Sequence, residues 1–125
     1  ARRKIQNLFK KNALNAYDAT LKSDSTYYQA MNNAGVIYFN RKNFPVALKY
    51  FERAMKTSPT YSDPYANTGA VYHNLGDMKN ALTYYEKALQ IDPNNRNVLA
   101  NMSRLYGNMG DKDKADYYAQ KAGIK

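Results

Sequence analysis

Six asparagines stand in two columns, Asn33, Asn67 and Asn101, then Asn40, Asn74 and Asn108, each column stepping by 34 residues. An asparagine amide carries both a donor and an acceptor. It can therefore hold the C=O and N–H of a peptide backbone together, whatever side chains that peptide bears. Within each copy the two asparagines are seven residues apart, two helical turns, so both amides leave the helix on one side. The chemistry on offer is recognition. Catalysis finds less support, because the single histidine, His73, has no Cys to partner and its nearest acidic neighbour along the chain is Asp77. Such a lone helical histidine is expected to be solvated. With no Cys there is neither a disulfide nor a thiolate metal site. Phosphate-cradling glycine loops, nucleophile elbows and metal-ligand clusters are missing from the sequence as well. The expectation is a chain that is not an enzyme and needs no metal or cofactor.

The columns belong to a wider repeat, and internal periods decide a fold before local propensity does. Gly35, Gly69 and Ser103 share one place, as do Tyr38, Tyr72 and Tyr106, Ala47, Ala81 and Ala115, and Ala54, Ala88 and Ala122. Pro59 and Pro93 close two of the copies. With repeats beginning at 28, 62 and 96, six columns are identical: Asn at position 6, Tyr at 11, Asn at 13, Ala at 20, Tyr at 23 and Ala at 27. Each copy reads as two helices. In the second, Asp63-Pro64 is the expected start, as N-cap and first-turn proline. The helix runs to about Leu75, Gly76-Asp77 makes the turn, and a second helix runs from about Met78 to Ile91 before Asp92-Pro93. Ala81, Leu82, Tyr85, Ala88 and Leu89 give that helix one apolar face.

This pattern resembles the tetratricopeptide repeat family, whose 34-residue unit prefers a large residue at 4, Gly or Ala at 8, Tyr at 11, Ala at 20, an aromatic at 24, Ala at 27 and Pro at 32. Residues 28–61 match with Met31, Gly35, Tyr38, Ala47, Phe51, Ala54 and Pro59. Residues 62–95 match with Tyr65, Gly69, Tyr72, Ala81, Tyr85, Ala88 and Pro93. The copy at 96–125 departs, with Ser103 for Gly and Ala119 for the aromatic, so its last helix is expected to pack loosely. Residues 1–27 fit the period shifted back one unit, through Ala13, Tyr17 and Leu21. They read as one helix of about 20 residues, the second helix of a preceding partial repeat. The resemblance implies an all-α, right-handed solenoid of helix–turn–helix repeats forming one domain, here a fragment of a larger protein.

For function, the resemblance implies a non-catalytic scaffold that binds a protein or peptide segment in a concave groove lined by first helices. Position 6 resembles the asparagine ladder in the repeats of protein O-GlcNAc transferase, which carries a peptide-backbone role to Asn33, Asn67 and Asn101. Asn40, Asn74 and Asn108 are the weaker candidates, since a helix end accounts for them. Three plainer readings stand beside the ladder: residues retained from duplication, amides bonded to a neighbouring helix, and helix termination. Family groove positions around the ladder hold Gln29, Asn32, Val36 and Phe39, then Asp63, Ala66, Ala70 and His73, then Asn97, Ala100, Arg104 and Gly107. The family's co-chaperone clamp for C-terminal carboxylates would need Lys, Asn, Asn, Lys and Arg where this chain has Asn32, Val36, Asn67, Asn97 and Asn101. One place in five matches, so that ligand is not expected.

Formal net charge is +9, carried as +4 over 1–27, +4 over 28–61, −2 over 62–95 and +3 over 96–125. Much of the excess lies on second helices (Lys49, Arg53, Lys56) and on the N-terminal segment (Arg2, Arg3, Lys4, Lys10, Lys11). In the family the second helices face outward, so a solubilising surface is expected. Nucleic-acid binding needs a contiguous patch with stacking aromatics or a groove-entering helix, and is not expected. The first rival to the groove reading is self-association through exposed stacking faces. The second, less expected, is a basic surface engaging nucleic acid or an acidic partner. No stretch approaches the roughly 18 apolar residues of a membrane span, and no signal-peptide pattern opens the chain. The compartment has no signal in the sequence; a soluble, cytoplasmic chain is the default expectation.

Overall fold

The computed structural model describes residues 13–15 and 27–124. Among these residues there are six helices: α1 (Tyr28–Asn40), α2 (Phe44–Thr57), α3 (Asp63–Asn74), α4 (Met78–Ile91), α5 (Arg96–Asn108) and α6 (Lys112–Lys121). They form three hairpins, one for each 34-residue repeat. Residues 13–15 are helical; the rest of the expected N-terminal helix, with its basic cluster, lies outside the described residues. Packing divides the chain into two compact units, 1–59 and 60–125.

The turns explain where first helices stop. Lys42, Gly76 and Gly110, again 34 residues apart, hold φ of 61°, 78° and 81°. In each hairpin the next residue's N–H then reaches back to a first-helix tyrosine carbonyl, Asn43 to Tyr38, Asp77 to Tyr72 and Asp111 to Tyr106, all at 2.9 Å. This is the left-handed closure that favours glycine. The first hairpin makes it with a lysine, which costs about 1 kcal/mol. Lys42→Gly is accordingly expected to stabilise unit one by about 1 kcal/mol, read as a higher urea midpoint; an unchanged or lower midpoint would refute it. The following helix starts with a side-chain cap in two cases: Asp77 accepts from the Asn80 N–H at 3.2 Å and Asp111 from the Lys114 N–H at 3.1 Å. The α4 bounds agree with the sequence reading. The α3 start does not: Ser62 holds the cap position without a side-chain bond, and Asp63 is the first helical residue. There its carboxylate still faces the positive end of the helix.

Within unit one, Ala30 and Met31 of α1 cluster with Ala54 of α2, and Ala34, Gly35, Ala47 and Phe51 are buried as well. A Cβ on Gly35 would lie 2.5 Å from the Phe51 ring, so the glycine is there to admit the ring. Unit two repeats the arrangement with Gly69 under Tyr85. Its core joins Ala81, Tyr85 and Ala88 of α4 to Val98, Met102, Leu105 and Tyr106 of α5.

The third hairpin uses different chemistry at the same place. Without a ring from Ala119, Ser103 fits where glycine stood and donates from Oγ to the Ala115 carbonyl at 2.7 Å. Arg96 Nε donates to the Ala122 carbonyl at 3.1 Å. The α6 helix buries no residue within its own span, yet Ala115 and Tyr118 pack on the core and Ala122 is buried. Apolar burial along the last helix is thin, in keeping with the expected loose packing, and polar bonds and a cap add to what holds it.

The tyrosine columns at positions 11 and 23 stack ring on ring across every hairpin. Tyr38–Tyr50, Tyr72–Tyr84 and Tyr106–Tyr118 have centroids 5.6, 5.7 and 5.5 Å apart and planes within 12°, 14° and 6° of parallel. Arg53 lies over Tyr50 at 5.8 Å, Lys87 over Tyr84 at 5.0 Å and Lys114 over Tyr106 at 5.2 Å. Part of the basic excess therefore rests on tyrosine faces.

Candidate functional site

The candidate site is built on the outward faces of the first helices. In unit one, Asn33 lies exposed in the middle of α1 and Asn40 exposed at its end. Gln29, Val36 and Phe39 are half-buried. The Phe39 ring rests on Phe44 of α2 at 5.6 Å, so part of it serves the hairpin. Asn32, expected as a groove wall, is 4% exposed. A burial so complete removes it from any surface contact.

In unit two, α3 and α5 touch directly. Asn67 of α3 and Asn101 of α5, one repeat apart, are both half-exposed. Asn101 accepts from Arg104 Nη2 at 3.2 Å through its oxygen, which leaves its NH2 pointing elsewhere. Asp63 is exposed at the start of α3, and Asn97 in the first turn of α5. The position-13 amides are more committed. Asn74 donates to the Ala70 carbonyl of its own helix at 2.8 Å. Asn108 places Nδ2 2.9 Å from Nε2 of His73 and so links α5 to α3.

His73 is not solvated as expected. Its ring is half-buried, with Nδ1 3.4 Å from the Tyr85 hydroxyl and the two rings edge to face at 6.3 Å and 81°. With the Asn108 amide donating to Nε2, the ring proton sits on Nδ1 and faces Tyr85. Burial holds the imidazole below its ordinary value, and the nearby Arg104 charge lowers it further. Burial pushes the Tyr85 phenol up to about 12, against a smaller downward pull from Arg104. Both groups are therefore neutral at neutral pH. His73, Asn74, Arg104 and Asn108 together line a cleft of about 270 Å³.

The His73–Asn108 link is invisible among the histidine's neighbours in sequence. The period held the signal: His73 is position 12 of one repeat and Asn108 position 13 of the next, on first helices that the fold stacks together. Among the described residues no three His, Asp, Glu or Cys side chains gather as a metal would require. No described helix is long and apolar enough to cross a membrane.

Comparison with known proteins agrees with this architecture. No curated protein sequence matches the chain significantly. Solved structures do match by fold. The MamA RS-1 ArsTM double mutant superposes with a TM-score of 0.78 at 19% identity, over 94% of this chain and 67% of that one. MamA MSR-1, in its C2 form, gives 0.74 at 17% identity over 95% of this chain and 68% of that one. At such identities the likeness speaks for the fold. Three tetratricopeptide repeat profiles match residues 1–62, 62–95 and 84–117. Jointly they run from residue 1 to 117, and the chain belongs to the tetratricopeptide repeat family, an all-α solenoid fold that serves as a protein-interaction scaffold.

Proposed function

We propose that the chain is a non-catalytic scaffold that holds an extended peptide segment through amides on the first helices of unit two, Asn67 and Asn101, with Asn33 the equivalent residue of unit one taken by itself. One observation carries the reading. On touching helices α3 and α5, equivalent amides reach the surface at the same helical position. Asparagine there is less favourable than alanine by roughly half a kcal/mol per helix interior, so three such places are maintained against propensity. A peptide backbone repeats its donor and acceptor along its length, which suits a repeated amide better than any side-chain-specific contact. The Asn74 NH2 already donates to the Ala70 carbonyl of its own helix.

Peptides selected from a random display library on the wild-type chain provide the test. Asn67→Ala and Asn101→Ala are each expected to weaken the selected peptides by about 1 kcal/mol, roughly fivefold, across unrelated sequences. The urea midpoint should hold or rise slightly, alanine being the better helix former. A fall in stability with no general loss of binding would make these amides structural and remove the proposal.

A further inference from the structure

The cleft of His73, Asn74, Arg104 and Asn108 is adjacent to the amide pair, and the backbone grip makes no use of it. Arg104 is exposed and engages Asn101 through Nη2 alone, so most of its five donors face outward. Among the described residues no carboxylate pairs with it; the ion pair they contain joins Lys56 to Glu52 in unit one. A guanidinium fork matches the two oxygens of a carboxylate. None of the four residues stands at the co-chaperone clamp positions, so the cleft is a different arrangement. We infer that it is a carboxylate site, with Arg104 as the charged anchor, Asn108 as a second donor, and His73 as the group that tunes the site to pH. The source of the carboxylate, a segment held along α3 and α5, rests on the groove reading; the cleft itself does not.

The tuning follows from which atom holds the proton. Neutral His73 accepts the Asn108 NH2 at Nε2. Once Nε2 is protonated, donor would face donor, and the amide must turn over so that Oδ1 accepts. Its NH2 then occupies the position the oxygen held, adding a donor where the cleft needs one. The groups facing the ring are Tyr85 from α4, neutral throughout, Arg104 and Asn108 from α5, and Asn74 from its own helix. Arg104 opposes the imidazolium charge. A carboxylate on Arg104 cancels that opposition, so the His73 titration midpoint is higher in the bound state. By linkage the site then takes up protons on binding and strengthens as pH falls through the His73 range, until the ligand carboxylate itself protonates near about pH 4.

His73 is the chain's one histidine, so its ring ¹H–¹³C signal reports the midpoint without ambiguity. Three probes suffice: Ala-Glu-Ala blocked at both ends, the same peptide with Gln for Glu, and trialanine blocked only at its N-terminus. A carboxylate probe is expected to raise the midpoint by about half a pH unit or more, and the Gln peptide to leave it unmoved. A response to the Glu peptide alone makes the ligand an acidic side chain; a response to trialanine alone makes it a chain terminus; both support the site. Arg104→Gln, a surface change checked for fold by circular dichroism, should raise the unliganded midpoint and abolish the response. The inference is overturned if neither carboxylate probe differs from the Gln peptide, or if the response survives Arg104→Gln. Failure of the backbone grip reads separately: in the Asn67→Ala, Asn101→Ala double variant a persisting response keeps the cleft while library peptides are lost.

Discussion

Tyr85→Ala is expected to lower the unfolding free energy by about 4 kcal/mol, the largest loss from any single truncation in unit two. The ring is 1% exposed and lies at the centre of the α4–α5 core, among Ala81, Ala88 and Met102. It also covers Gly69 and presents its hydroxyl to His73. Removing it opens a ring-sized cavity that Ala81 and Ala88 cannot reach into and that Met102 can fill only in part. Tyr85→Phe separates the two roles. It keeps the ring, and it should cost only about 1 kcal/mol through the orphaned Nδ1–H of His73. Chemical denaturation checks both, and a loss under about 2 kcal/mol for Tyr85→Ala would mean that the core does not depend on this ring.

Gly69→Ser should cost about 2 kcal/mol in the wild-type background, and be favourable by about 1 kcal/mol once Tyr85 is already Ala. A Cβ at position 69 would meet the Tyr85 ring at 2.6 Å and the Ala81 carbonyl oxygen at 3.2 Å. The first contact must be relieved by moving a buried ring. The second is the neighbourhood in which Ser103, one repeat later, bonds the Ala115 carbonyl. Exchanging both residues rebuilds in the second hairpin what the third already contains. A double-mutant cycle in urea measures the coupling, and strictly additive losses would show that the two residues do not act as a pair.

That pair marks a limit of what the sequence made legible. The 34-residue step, the helix bounds of α4 and the tyrosine columns could all be read, because each rests on periodicity that packing must obey. Taken one at a time, the third repeat's lost glycine and lost aromatic are two defects. They face each other, so the loss of one accommodates the loss of the other. Lys42 was illegible for a different reason: a left-handed residue announces itself only when it is glycine or asparagine. In the candidate site, spacing put Asn33, Asn67 and Asn101 on equivalent faces, and all three reach the surface. Spacing could not show that Asn32, one residue from Asn33, turns inward, since a helix rotates about 100° per residue and the boundary between faces falls between them. Nor could it show that His73 meets Asn108, because contacts between helices depend on how far each side chain reaches as well as on its column.

The stacked tyrosines have a spectroscopic consequence. The chain contains 13 tyrosines and no tryptophan, so its near-ultraviolet absorption and fluorescence are phenolic. Each helical hairpin holds one phenol pair, 5.5 to 5.7 Å apart and nearly parallel, close enough for the two transition dipoles to couple. The coupled pair bridges the first and second helix of its repeat, so its ellipticity exists only while those helices are closed on one another. Far-ultraviolet signals count residues in helical conformation; this one registers hairpin closure, and it does so with chromophores the chain already carries.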